Sequence, residues 1–180
     1  MNKLIGLYSP AAQSGKSTVA KFLAQQHGYT IVPFAETLKE MLIPMLSALG
    51  YNDNDAYRLV QVGKQIVVPG VEVSVRHMLR TLGTEWGRQC IHPDIWLRCW
   101  QERIKPYNLI VADDVRFPNE AELVRSLGGE VWFVERPDAV RTHEHASEGS
   151  LDTYHGFTKH LVNEGALSDF VDKLRGIAQP

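Results

Sequence analysis

The chain has 180 residues, 44% of them hydrophobic, and carries 19 Lys+Arg against 21 Asp+Glu for a formal net charge of -2. That length suits one domain around one well-buried core, and the near-neutral balance leaves no electrostatic footprint for a nucleic acid polymer. Cys90 and Cys99 stand in neither a metal nor a redox spacing and are expected as small core residues in a reducing, cytoplasmic compartment. The apolar run near the N-terminus is too short for a signal peptide or a membrane span.

Leu4 to Tyr8 reads as a buried parallel strand. A helix is expected from Lys16 to His27, with Val19, Phe22 and Leu23 on one face and Gly28 as its stop, followed by a strand from Tyr29 to Val32. A second helix from about Glu36 carries Leu38, Met41, Leu42, Met45, Leu46 and Leu49 at helical spacing, with Pro44 kinking it and Gly50 ending it. Residues 51 to 73 have little pattern and read as an insertion on the helical side. Ser74 caps a helix through Arg76, Met78, Leu79 and Leu82, which Gly83-Thr84 interrupts; Asp94 caps another through Ile95, Trp96, Leu97 and Trp100, broken by Pro106. Asn108 to Asp113 is an apolar run ending in acid. A short helix from Asn119, boxed by Glu122, runs to Gly128-Gly129. Strands at Glu130 to Glu135 and near Lys159 to Val162 and a helix from about Leu167 to Ile177 complete the pattern, with residues 136 to 157 read as a lid. Alternating strands and helices predict a three-layer α/β/α domain with a parallel sheet.

The chemistry concentrates after the first strand. Ser14-Gly15-Lys16-Ser17-Thr18 opens the first helix, where backbone N–H groups and the helix dipole attract phosphate, Lys16 reaches the terminal phosphates and Ser17 is placed to ligate Mg²⁺. The motif has Pro10 where its first Gly is expected, so the way into the loop must differ. Asp113, at the end of an apolar strand about a hundred residues later, sets a carboxylate beside such a loop to hold the same Mg²⁺ or its water. The alternative for Asp113 is a solvated strand terminus.

Several further blocks occur together: Phe34-Ala35-Glu36-Thr37-Leu38-Lys39-Glu40, Arg76 to Leu79 leading into Leu82-Gly83-Thr84-Glu85, Trp96, and Asp114-Val115-Arg116-Phe117-Pro118-Asn119-Glu120. His145-Ala146-Ser147-Glu148 and Asn163-Glu164-Gly165 follow. With the phosphate loop, these resemble the phage-type deoxynucleoside monophosphate kinases, relatives of the adenylate and dephospho-coenzyme A kinases. The resemblance implies a single P-loop kinase domain over 1–180, with a five-stranded parallel sheet in the order 2-3-1-4-5. It also implies an acceptor-binding insertion at about 34–100, a lid at about 136–157, and transfer of the γ-phosphoryl of ATP to a deoxynucleoside monophosphate with Mg²⁺. Gln13, Ser14, Gly15, Lys16, Ser17, Thr18, Arg136, Arg141 and Asn163 would hold ATP, with the Asn163 to Gly165 turn bordering the adenine. Phe34, Lys39, Arg76, Arg80, Gly83, Thr84, Glu85, Arg88, Trp96, Asp114, Arg116, Asn119 and Glu120 would bind the acceptor. Lys16, Asp113 and Arg116 would serve the transfer itself, with Ser17 and Asp113 as metal ligands.

Physical chemistry frames the same residues more broadly. Two phosphates that repel each other must be brought together, so cations from several segments are expected around them. Arg116 suits a phosphate fork but equally an ion pair with Glu120 or Asp114. Arg76 and Arg80, four apart on a helix, favour an anion between them or a solvated face. Phe34 or Trp96 can stack a base, or either can be core. His143, His145 and His155 with Glu144 and Glu148 can order the lid or, alternatively, hold a metal. A dephospho-coenzyme A kinase-like enzyme or a non-catalytic nucleotide-gated switch are the other readings, and no Asn-Lys-x-Asp guanine signature is present. The partner expected is a small-molecule acceptor, with no membrane, in the host cytoplasm if the chain is phage-encoded. The oligomeric state stays open, a homodimer included.

Overall fold

The first strand, β1 (Lys3–Tyr8), is apolar on both faces and buried from Leu4 onward, as a central parallel strand must be. The computed structural model describes residues 3–139 and 149–177. After β1 come α1 (Lys16–His27), β2 (Thr30–Ile31), α2 (Glu36–Ala48), α3 (Asp53–Gln61), the short strands β3 (Val67–Val68) and β4 (Val73–Ser74), and α4 (Val75–Thr81). A π-helical segment, Leu82–Ile91, leads to α5 (Ile95–Ile104), β5 (Leu109–Ala112), α6 (Pro118–Ser126), β6 (Glu130–Glu135), β7 (Lys159–Val162) and α7 (Leu167–Ile177).

Five strands form one parallel sheet in the order β2-β5-β1-β6-β7. Numbered by their sequence within that sheet, this is the order 2-3-1-4-5. From β1 the chain crosses one way through α1 to β2, and from β5 it crosses the other way through α6 to β6. Right-handed crossovers in opposite directions put α1 and α6 on opposite faces, which makes the three layers. Ile5, Leu7, Val111, Trp132, Val134 and Leu161 pack against Val19, Phe22 and Leu23 of α1 and Phe170 and Leu174 of α7. Gly6 points to the other face, where a Cβ would lie 2.9 Å from Val115 and 3.3 Å from Val124, so a side chain there would push α6 off the sheet.

The chain falls into two compact units: the segment through Pro33 together with the chain from Arg103 onward, and Phe34–Glu102. Each holds its own apolar cluster, where length suggested one core. That of the second unit joins Leu42 and Leu46 of α2, Ala56, Leu59 and Val60 of α3, Val68, and Val75 and Met78 of α4. The unpatterned stretch 51–73 thus contains α3 and an antiparallel hairpin of β3 with β4. Asn52 caps α3 by accepting from the Asp55 N–H at 2.9 Å.

Five local expectations need correction. The strand at Tyr29 to Val32 shortens to Thr30–Ile31. Gly83 does not interrupt the helix after α4; the backbone continues through it in wide turns, and the His92 N–H donates to the Gly87 carbonyl five residues back at 3.0 Å. Cys90 is exposed and Cys99 only partly buried, so neither is a core residue. The helix expected from Asn119 begins at Pro118, where proline's missing N–H is harmless. Its first turn is boxed by Glu120, not Glu122, because the Glu120 carboxylate accepts from the Phe117 N–H at 3.1 Å.

The π-helical segment is built around one indole. Trp96 Nε1 donates to the Gly83 carbonyl at 2.7 Å, and a Cβ on Gly87 would lie 2.3 Å from the Trp96 ring. Gly87→Ala is therefore expected to lower stability by about 1–3 kcal/mol through overpacking, seen as a fall in Tm. Helix propensity alone predicts a gain of up to about 1 kcal/mol for the same change, so a raised Tm would contradict this packing account.

Candidate active site

The turn after β1 is shaped by two left-handed residues, Gln13 (φ 57°) and Gly15 (φ 107°). Neither lies at Pro10, which explains how proline is tolerated in place of the motif's first glycine. Ser9 instead closes the start of the loop, its hydroxyl 3.3 Å from the Ala11 N and 3.2 Å from the Ala11 O. Gly15 is the residue before α1 and offers no side-chain cap, and no acid lies in the first turn, so the helix N–H groups face outward for an anion. A side chain on Gly15 would also collide: its Cβ would lie 2.7 Å from Asn163 Nδ2 and 3.1 Å from Phe170.

Asn163 is buried just beyond β7, and its Nδ2 donates to the Ser14 carbonyl at 2.9 Å. The end of the fifth strand thereby holds the loop from outside. Gln13, Ser14, Gly15, Lys16, Ser17, Thr18, Arg136, Asn163, Gly165 and Leu167 line a single cleft of about 340 Å³. Two lining residues were not among those expected to hold ATP: Gly165, present only as part of the Asn163-Glu164-Gly165 block, and Leu167, 63% exposed, whose one signal is its place as the first residue of α7. Arg141 lies outside the described residues, as do His143, His145, Glu144 and Glu148.

Lys16 is half-buried, with Nζ 3.5 Å from Ser14 Oγ. Burial, and then the like charge of Arg116, lower its pKa from 10.5 to about 8, against the opposing pull of Asp113 and Asp114. Ser17 Oγ donates to Asp113 Oδ2 at 3.3 Å. A hydroxyl and a carboxylate in contact, with Asp114 next in the chain, are hard oxygen donors of the kind Mg²⁺ takes.

The backbone of Arg116 is held on both sides. Its N–H donates to Glu120 Oε2 at 2.7 Å, the same oxygen that takes the Phe117 N–H, and its carbonyl accepts from the Ser150 hydroxyl. Glu120 is 4% exposed, so its carboxylate shapes this turn and is not presented to a ligand. The Arg116 side chain stands in the open, and Asp114 and Asn119 are partly buried beside it in sequence.

In the second unit, Lys39 Nζ donates to Glu36 Oε2 and Gln61 Oε1, each at 3.0 Å, and Gln61 Nε2 returns a bond to Glu36 at 3.3 Å. Gln61 went unnoticed in the sequence because it comes from α3, whose stretch carried no motif. Arg76 and Arg80 are exposed on α4, with Arg80 Nη2 3.3 Å from His77 Nδ1. Arg88 Nη1 donates to the Pro93 carbonyl at 3.2 Å, and Glu85 is exposed in the π-helical segment beside the partly buried Thr84. The expectation of an open stacking face at Phe34 or Trp96 is corrected. Phe34 is 4% exposed and stacks on Trp100 at 4.2 Å between centroids, while Trp96 is 3% exposed with its N–H on Gly83.

The family model for deoxynucleotide monophosphate kinase matches residues 46–174. A relative from Acanthamoeba polyphaga mimivirus, "Putative deoxynucleotide monophosphate kinase", is 27% identical over 184 aligned positions that span 95% of this chain and 93% of that protein. "Deoxynucleoside-5'-monophosphate kinase" of Escherichia phage T5 is 33% identical over 117, spanning 59% of this chain and 46% of that protein. Among solved structures, a dephospho-CoA kinase from Campylobacter jejuni aligns with a TM-score of 0.45 and 12% identity, over 97% of this chain and 95% of that one.

A cation held half-buried beside another cation has a definite pH signature. Because the folded Lys16 titrates near 8 and the unfolded one near 10.5, the unfolded chain binds the extra proton between those values, and ligand-free stability should rise with pH from about 8 to 10.5. Lys16→Met should remove that rise and stabilise the ligand-free protein at pH 7 by up to about 3 kcal/mol. Inorganic pyrophosphate, binding the charged lysine, should weaken as pH passes upward through 8. Melting curves across pH with and without pyrophosphate check all three, and a Lys16→Met protein less stable than wild type at pH 7 would contradict the account.

Proposed function

The chain belongs to the deoxynucleotide monophosphate kinase family, and from that premise we propose that it transfers the γ-phosphoryl group of ATP to the 5′-phosphate of a deoxynucleoside monophosphate. The observation that carries this reading is the cleft lined by Lys16, Ser17 and the start of α1, with Asp113 accepting from the Ser17 hydroxyl. A loose phosphoryl-transfer transition state asks for alignment and positive charge more than for a covalent partner, and these groups supply both.

In this reading the triphosphate lies along Gln13 to Thr18, with its negative charge on the open N–H groups of the loop and of α1. Arg136 approaches the same cleft, and Leu167 and Gly165 offer a surface for the adenine. Lys16 changes character as the anion arrives: burial and Arg116 disfavour its charge in the empty site, and phosphate oxygens restore it. Ser17 and Asp113 would hold Mg²⁺, which when bound neutralises phosphate oxygens and fixes their orientation. Arg116, with an exposed guanidinium on a backbone held at both ends, takes the acceptor phosphate as a two-pronged donor. Arg76, Arg80, Thr84, Glu85, Arg88 and Lys39 of the second unit are proposed as acceptor-recognition residues on the strength of the family resemblance, with Gly83 and Trp96 as the packing beneath the π-helical segment that bears three of them. Among the described residues no helix is long and apolar enough to cross a membrane.

The test is ADP release with each of the four deoxynucleoside monophosphates in turn. ATP turnover should require one or more of them, and dephospho-coenzyme A should not substitute. Arg116→Ala should lower kcat/KM for the monophosphate by about 10²–10³ while the ATP KM changes little, and Lys16→Met should reduce kcat at least as far, as loss of transition-state donors does elsewhere. ATP hydrolysis indifferent to every monophosphate would overturn the reading in favour of a nucleotide-gated switch.

A further inference from the structure

The turn that begins at Gly149 touches two places flanking the phosphate loop. Gly149 itself is left-handed (φ 80°), and a Cβ there would lie 3.0 Å from Asp152 Oδ2. The Asp152 N–H closes the turn on the Gly149 carbonyl at 3.0 Å, and the Tyr154 N–H closes the next on Leu151 at 3.0 Å. Leu151 is fully buried, which roots the turn in the first unit. From it, Asp152 Oδ1 accepts from the hydroxyl of Tyr8, the last residue of β1, at 3.3 Å, and the Ser150 hydroxyl donates to the Arg116 carbonyl.

Ser150 belongs to no motif that pointed to the site, although its turn falls within the stretch 136–157 expected as a lid, and the Ser150 hydroxyl completes the hold on the Arg116 backbone. An exposed arginine has wide rotamer freedom, so a phosphate can use its fork only if the backbone beneath it is fixed. Glu120 fixes the N–H side of Arg116. The Arg116 carbonyl is an acceptor that a carboxylate cannot serve, and the Ser150 hydroxyl donates to it. We infer that Ser150 is a positioning residue for the acceptor phosphate, acting through Arg116 by locking its peptide from the carbonyl side. The inference rests on the reading of Arg116 as the acceptor clamp, and it adds that the turn after Gly149 sets acceptor affinity without touching the acceptor. Tyr8–Asp152 ties the same turn to the end of β1, so the acceptor arginine and the start of the phosphate loop share one support.

A double-mutant cycle separates action through Arg116 from general loosening. Equilibrium dissociation constants for the preferred monophosphate and for ATP would be measured by calorimetry on the full chain as wild type, Ser150→Ala, Arg116→Ala and the double variant, with Tm for each. Ser150→Ala should weaken monophosphate binding about tenfold, the scale of one lost hydrogen bond to a charged-group support. It should change ATP binding less than twofold, and it should have under twofold effect once Arg116 is alanine. Ser150→Thr should restore binding, and Ser150→Cys, which keeps the size and weakens the donor, should behave like alanine if the alanine protein is unstable. An equal loss in both Arg116 backgrounds, a matching loss of ATP affinity, or no loss in either Ser150 variant would overturn the inference. A wild-type protein that binds no monophosphate would instead overturn the functional reading and this inference with it, so the two failures are told apart by the wild-type titration alone.

Discussion

Lys16 is held partly buried with the like charge of the exposed Arg116 acting on it, and that disfavoured charge is the constraint on which the site depends. Two cations are not held together for stability. Burial is the largest cause that lowers Lys16, Arg116 lowers it further, and Asp113 and Asp114 act the other way. The arrangement becomes favourable when an anion supplies what these two acids do not. A site that is strained when empty and relaxed when filled binds its ligand with the strain it releases, and it favours most the state in which phosphate charge is greatest.

The fold maintains that tension by fixing backbone, not side chains. Gly15 takes a left-handed turn that only glycine suits and is pressed by Asn163 and Phe170, so the loop is held by β7 and α7 as well as by β1. Arg116 is held through its peptide groups, by Glu120 on one side and Ser150 on the other, and its side chain is exposed. Asp113 sits at the end of β5, the neighbour of β1, and parallel pairing of those strands is what brings it to Ser17 across 96 residues of sequence. Positions far apart in the chain meet because the carboxyl ends of parallel strands share one edge of the sheet.

Much of this was legible in the sequence where a local signal decided the outcome. Lys16–His27, with Gly28 in the left-handed region at its end, Glu130–Glu135 and Lys159–Val162 fall where periodicity and stops place them; the alternation of elements carries the parallel sheet, and its strand order is what the family resemblance implies. The phosphate loop and its acid were legible as well, since both lie at strand ends. What was hidden depends on partners distant in sequence. Gly83 reads as a break, yet the Trp96 N–H takes its carbonyl and the indole fills the space at Gly87, so thirteen residues of separation decide the backbone there. Asn163 is expected from the family resemblance as an ATP contact, and its bond to Ser14, across 149 positions, was not legible in the sequence. Glu120 reads as an acceptor contact by family resemblance or as an ion-pair partner of Arg116, and it is buried with two backbone amides donating to its carboxylate. Leu167, Gln61 and Ser150 belong to no motif at all; only the folded chain brings them to the residues that matter.

The central claim is that the charge on Lys16 is incomplete in the empty site near neutral-to-alkaline pH and is completed by the triphosphate. Calorimetric titration of ATP at pH 8, repeated in buffers of different ionisation enthalpy, measures the protons taken up on binding. With a free pKa of about 8, roughly half of Lys16 is deprotonated there, so uptake of about half a proton per ATP is predicted, and it should vanish in Lys16→Met. Binding with no proton uptake at pH 8, or uptake that survives Lys16→Met, would contradict the account.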